Sequence, residues 1–429
     1  MYRFFLPLSI AAMSLSVCAQ TPPQSNNQIE RPSRMSAGLV EPPGPLTLEV
    51  ALKLAVEANA DLAAARQEIA AVNASAQQAR QRANPTAELE VEDTRQATRE
   101  TTFQVSQPIE LGGKRAARIQ AAARGLDAAA AELQTKVAEV RAAVTTAFFD
   151  VLAAQERMTL VKDSVEVAQR GTSIASKRVV AGKASPVEET KARVAESGVR
   201  VELLKASSDL RASRKRLTSL WRNPLPIFDR AGGTLDVLPQ LPELSNLTSR
   251  LVDAPQLKRA RIEVDRRQAL ATVERTRRVP DVAIKLGMKR SEELGQNRAI
   301  FGVSVPLPVF DRNQGNVLES LRRIDKARDE LAATESRLDM EIVQAYERMS
   351  TSRQEAQVLR QDILPGAQSG YDAAVTGFEF GKFSFLDVLD AQRTLLQAKS
   401  QYLRALSDAH RAAADIDAIL GTSLHAFSR

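Results

Sequence analysis

The sequence predicts a mainly α-helical chain with a small β part, built from two similar halves. Three features predict it. Alanine supplies 66 of the 429 residues while aromatic residues reach only 4%, and alanine both favours helix and lets helices approach closely. Apolar residues recur at alternating spacings of three and four over long stretches, the mark of a coiled-coil seam. Between these stretches, two short segments bracketed by prolines switch to a period of two, the mark of strands with one apolar face.

The chain opens on an address. Arg3 precedes the apolar run Phe4 to Met13, and Val17-Cys18-Ala19 closes it with small residues. A charged start, an apolar stretch too short to span a bilayer and a small-x-small site predict an export signal over residues 1–19. Cys18 offers a rival reading as a lipid anchor, although Val17 fits a lipidation site poorly. Residues 20–45 are polar and hold Pro22, Pro23, Pro32, Pro42, Pro43 and Pro45, so they read as an extended tether.

Two repeats follow, residues 46–222 and 247–421, joined by a Pro- and Gly-rich connector at 223–246 and followed by a tail at 422–429. Leu62-x-x-Ala65-Arg66 recurs as Leu257-x-x-Ala260-Arg261, Pro85 as Pro280, Pro108 as Pro306, Ala147-Phe148 as Ala345-Tyr346 and Gly182-Lys183 as Gly381-Lys382. The offset drifts only from 195 to 199. A period that long is a domain-sized duplication, not a solenoid unit.

Within the first repeat, a helix over 47–83 stops at Asn84-Pro85. Leu89 and Val91 then alternate with Glu88, Glu90 and Glu92, and Phe103 and Val105 with Thr102, Gln104 and Ser106, which predicts a β-hairpin over 86–108. Residues 113–181 read as one long helix. Its seam runs through Val137, Val140, Val144, Ala147, Val151, Ala154, Met158, Val161, Val165 and Ala168, with Gly125 and Gly171 as local weak points. A last helix fills 187–221. The second repeat copies the plan with a hairpin over 281–306, in which Val282, Ile284, Leu286 and Met288, then Phe301, Val303 and Val305, make the apolar face. Two further seams follow, Leu338 to Leu359 and Val388 to Ala412, with a kink or interruption expected at Pro365-Gly366. At 1.5 Å per residue, residues 113–181 reach about 104 Å, and the two shorter helices end to end match them. The eight- or nine-residue strands suit tilted strands in an outer membrane, which need about 9–11 residues; a half-buried hairpin on a soluble domain is the competing reading.

Composition narrows function. One cysteine excludes a disulfide scaffold and a cysteine-based zinc site. Two histidines, His410 and His425, leave little for acid–base chemistry, and no nucleophile–base constellation is visible, so the chain reads as no enzyme, without cofactor. The net charge is +7 and the isoelectric point 9.6. Acidic residues interleave with the basic clusters, and no nucleic-acid motif accompanies them, so nucleic acid is not a partner. A periplasmic coiled-coil adaptor stays an alternative from another class, although it would carry one hairpin and a split lipoyl domain.

The duplication, the Pro-flanked strands, the heptad helices and the stretch Gly381-Lys-Phe-Ser-Phe-Leu-Asp387-Val-Leu-Asp390-Ala-Gln-Arg-Thr-Leu395 resemble the outer membrane efflux protein family, the TolC-like exit ducts. Gln107-Pro-Ile-Glu-Leu-Gly-Gly-Lys114 and Val303-Ser-Val-Pro-Leu-Pro-Val-Phe-Asp-Arg-Asn-Gln-Gly315 resemble its heavy-metal, cobalt–zinc–cadmium resistance branch. The resemblance implies a homotrimer in the outer membrane, in contact with its lipids, whose twelve strands close one barrel continued by a helical tunnel. It implies passive conduction, with a periplasmic adaptor and an inner-membrane proton-driven transporter of the RND type as partners. The cargo it implies is divalent heavy-metal cations; drugs, solvents or dyes stay open.

The same resemblance implies site residues. Asp387 and Asp390, with Glu188 at the matching place in the first repeat, would ring the periplasmic mouth, where acidic rings favour cations. A carboxylate that only offsets a helix dipole is the alternative for Glu188 and Asp387. Gly182, Lys183, Gly381 and Lys382 lie in the turns that dock the adaptor, and Phe383 would allow apolar closure of the gate. Glu88, Glu90 and Glu92, with Lys285 and Lys289, line the pore or simply pair across strands.

Overall fold

The structure, a computed structural model, describes residues 41–422 except residue 94. The export signal, Cys18, most of the tether and all but the first residue of the tail lie outside the described residues. The order is α1 (Leu48–Ala58), α2 (Ala60–Ala79), β1 (Thr86–Glu92), β2 (Glu100–Ile109), α3 (Lys114–Val180), α4 (Pro186–Ser219), α5 (Leu244–Arg250), α6 (Pro255–Thr276), β3 (Val282–Ser291), β4 (Gln296–Ser304), α7 (Gln314–Val358), α8 (Leu364–Glu379) and α9 (Phe385–Leu420).

One detail corrects the sequence reading and two refine it. The helix expected over 47–83 is two helices. Asn59 sits in an extended conformation between them, its side chain accepting from the N–H groups of Asp61 and Leu62 to cap α2 and donating to the Leu220 carbonyl at 2.9 Å. A short amide that satisfies both a new helix start and a neighbouring helix end makes the break favourable. α3 runs unbroken for 67 residues through Gly125 and Gly171, about 100 Å. Near Pro365 the second long helix changes its pitch without ending. A single π-turn over Leu359–Ile363 precedes the proline and leads directly into α8, and such a wide turn accommodates the missing proline N–H.

The two largest of four buried apolar clusters among the described residues join most of the helices. The larger joins α1, α3, the end of α4 and the connector through Leu54, Val144, Phe148, Leu152, Trp221 and Phe228, with Leu406 from α9. The connector is pinned by the buried Glu41 carboxylate, which accepts from the Ile227 and Phe228 N–H groups at 2.6 and 2.8 Å and from the Trp221 and Asn223 side chains. The second core packs Leu257 of α6 with Leu338, Ile342 and Met349 of α7 and Ile416 of α9. The repeated Leu-x-x-Ala-Arg word has a repeated role: Arg66 reaches back to the Val56 carbonyl at 2.8 Å, and Arg261 to the Val252 carbonyl at 3.2 Å. Each clamps the start of its repeat.

The four strands form one antiparallel sheet in the order β1-β2-β3-β4, so the hairpins of the two repeats are joined edge to edge through β2 and β3. Register places Leu89, Phe103, Met288 and Ala299 in one row, and Ala87, Val105, Leu286 and Phe301 in the next. The sheet lies at one end of α3. The turns between α3 and α4 lie at the other.

Candidate functional site at the helix tips

Both tips are built alike. At Gly182 (φ 66°) and Gly381 (φ 72°) the chain enters the left-handed region. The Lys183 N–H then returns to the Arg178 carbonyl, and the Lys382 N–H to the Gly377 carbonyl, at 2.8 Å each. This is the closed helix ending that a residue without Cβ permits at least strain. Nothing lies within 4 Å of where a Cβ would stand on either glycine, so the outer surface of both turns is open. Ser185 and Ser384 then cap α4 and α9.

The predicted acidic residues fall into different roles. Asp387 closes a capping box: its Oδ2 accepts from the Ser384 N–H and hydroxyl at 2.8 Å each, and its own N–H returns to Ser384 Oγ. Asp390 stands one turn further on, exposed. Both line an open groove of about 950 Å³ between α4 and α9. Lys191 and Arg393 line it too, so the carboxylates share their site with cations. Glu188 lies in the first turn of α4, outside that groove's lining. Its neighbour Glu189 is the engaged one. Hydrogen bonds first from Arg193, at 2.5 Å, and then from Ser176 of α3 hold its carboxyl below the ordinary value of 4.5.

Phe383 is about half-exposed, and its ring lies over Gly377 of α8, where a Cβ would meet it at 2.1 Å. Two features were not singled out in the sequence. Phe385 is buried and fills the notch left by Gly171, whose Cβ would stand 2.2 Å from the ring. Phe378 packs beside it, with the Arg178 guanidinium 4.9 Å from the Phe378 ring centre. The available signal was the spacing: Phe385 lies three residues before Val388 and extends that seam by one turn. These contacts fasten α9 to α3 at the tip.

At the far end, the sheet has two unlike faces. Leu89, Phe103, Leu286, Met288, Phe301 and Val303 are all exposed, Leu89 by 67% and Phe301 by 71%. A contiguous exposed apolar face of this size marks contact with something other than water. The opposite face is charged and internally paired. Lys289 binds Glu100 at 2.5 Å and Glu92 at 3.0 Å, and Gln104 donates to Glu88 at 2.7 Å. Among the described residues no helix is long and apolar enough to cross a membrane, and no group of three or more His, Cys, Asp or Glu side chains could hold a metal ion.

The family model for outer membrane efflux proteins matches the chain twice, over residues 51–222 and again over 247–422. The chain belongs to this family. As a family member it is an outer-membrane efflux channel with a part in the periplasm. It is 46% identical over 424 residues to the cobalt-zinc-cadmium resistance protein CzcC of Cupriavidus metallidurans, covering 98% of this chain and 100% of that one. Among solved structures it is similar to the CusC channel, with a TM-score of 0.75 at 16% identity over 88% of this chain and 92% of that one. It is likewise similar to the Campylobacter jejuni CmeC outer membrane channel, with a TM-score of 0.75 at 18% identity over 87% and 85%. These likenesses show the TolC-like fold.

Proposed function

We propose that three copies close one twelve-stranded barrel, continue it as a helical tunnel, and release divalent heavy-metal cations passively to the exterior. The observation that carries the barrel is the sheet: an exposed apolar face, a charged face, and unpaired outer edges on β1 and β4. A barrel in a membrane must have no open edge, and closure with copies of itself supplies the missing ladder. The cargo reading rests on the full-length similarity to a cobalt-zinc-cadmium resistance protein.

At the other end, a periplasmic adaptor docks on the open turns at Gly182-Lys183 and Gly381-Lys382 and links the channel to a proton-driven RND transporter in the inner membrane. Asp390 and Asp387 face the narrow mouth, where threefold symmetry gathers six carboxylates and raises the local concentration of cations. Glu188 reinforces that field from α4, and Phe383 narrows the aperture. The channel itself carries out no chemical step.

The test is complementation. A strain lacking the gene regains growth in cobalt, zinc and cadmium salts when the full chain is restored, with no gain against dyes, solvents or antibiotics. Restoration of dye or antibiotic tolerance without metal tolerance would replace the metal reading by a drug-efflux one.

A further inference from the structure

The apolar outer face of the sheet does not stop where the strands stop. Beyond a first row in which Val91 alone is apolar (Val91–Thr101–Arg290–Asn297), its apolar rows begin at Leu89–Phe103–Met288–Ala299 and end at Ile109–Val282. Six residues of β3 separate the two rows, about 20 Å of strand at 3.3 Å per residue. A tilt of about 40° reduces that to about 15 Å of height, against an apolar band of about 25 Å on outer-membrane barrels. About 10 Å is missing.

The link between β4 and α7 continues the face. Leu307, Val309 and Phe310 are exposed by 79, 62 and 92%, directly after Phe301, Val303 and Val305. Pro306 and Pro308 carry no N–H to satisfy. The Val309 N–H donates to the Leu307 carbonyl at 2.8 Å, a tight three-residue turn that pairs a backbone group without water. The matching link of the first repeat is tied into protein instead: the Leu111 N–H donates to Asp281 at 3.1 Å, Lys114 binds the same carboxylate at 2.7 Å, and Glu110 pairs with Arg118. The apolar link therefore occurs once per chain.

We infer that residues 305–310 lie in the periplasmic-side leaflet of the outer membrane as an anchor in contact with phospholipid. Leu307 and Val309 meet acyl chains and complete the apolar band. Phe310 sits at the headgroup boundary, where aromatic rings concentrate, and the exposed Arg312 follows at phosphate level. The inference rests on the sheet being a barrel wall, and the experiment separates the two.

The full chain carries one tryptophan, Trp221, which is buried in the helical core and serves as a constant background. Phe310→Trp and, as a probe of the wall itself, Val303→Trp are reconstituted in phosphatidylcholine vesicles brominated either near the top of the acyl chain or near its end. Phe310→Trp should lose most of its added fluorescence to the shallow bromine and less to the deep one, while Val303→Trp is quenched by at least one of them. Quenching at 303 without quenching at 310 overturns the anchor and leaves the barrel standing; a blue-shifted, unquenched 310 probe then assigns the link to a neighbouring copy, and a red-shifted one to water. No quenching at either position overturns the barrel reading itself.

Discussion

Asp387 and Asp390 stand three residues apart on one helix, yet the cap engages the first and the second is exposed. Asp387 is half of a reciprocal cap, so Asp387→Asn, which keeps an acceptor but removes the charge at the helix N-terminus, should cost about 0.3–1 kcal/mol of tip stability, read as a lower thermal midpoint. Asp390→Asn should leave that midpoint unchanged and lower the preference for cations in planar-bilayer recordings. Unchanged selectivity in a folded Asp390→Asn trimer would remove this residue from the mouth. Glu189 adds a pH dependence. Its folded pKa lies below 4.5, so its contribution is fully present above that value and is lost as pH falls through the lowered one. Amide protection around residues 171–195 should therefore weaken on acidification below pH 4.5 in the native chain, and Glu189→Gln should flatten that response. The sequence pointed to Glu188 because it counted from the matched glycines. Which of two adjacent acids reaches Ser176 is set by the rotation of α4 against α3, and one helix's sequence does not carry that rotation.

At the scale of elements, α3 was legible because its seam is unbroken: Val140, Val144, Ala147 and Val151 are all buried where the three-four spacing put them. What escaped were features decided by a neighbour. Gly171 reads alone as a weak point, yet it is the notch that receives Phe385. Gly171→Leu should displace that ring at a cost of roughly 1–3 kcal/mol, visible as earlier melting and as protease cleavage near the tip. Phe385→Ala should lose stability too. In the double variant the two costs should fall short of their sum, because the contact can be lost only once. Full additivity would show that the notch and the ring act independently. Asn59 escaped for a similar reason, since its break is settled by the Leu220 carbonyl, while Pro365 marked the region of the π-turn but not its start, where Leu359 packs into the core.

For the molecule as a whole, the duplication and the alternating strands made the fold class readable, since every switch of period left its own mark. The joining of β2 to β3, which turns two hairpins into one sheet, left no local mark, because it pairs residues far apart in the chain, such as Phe103 with Met288, 185 positions away. The two faces of that sheet carry the account of what the channel does. Its central claim is that the apolar face meets lipid and the charged face meets the water of the pore. Single cysteines at Phe103 and Val303, and at Gln104 and Ser304, test it in outer-membrane preparations of the full chain, with the native protein and its one cysteine as the blank. A lipid-soluble thiol reagent should label the first pair and spare the second, and a small water-soluble reagent should do the reverse. Equal labelling of both faces by the lipid-soluble reagent would contradict the barrel.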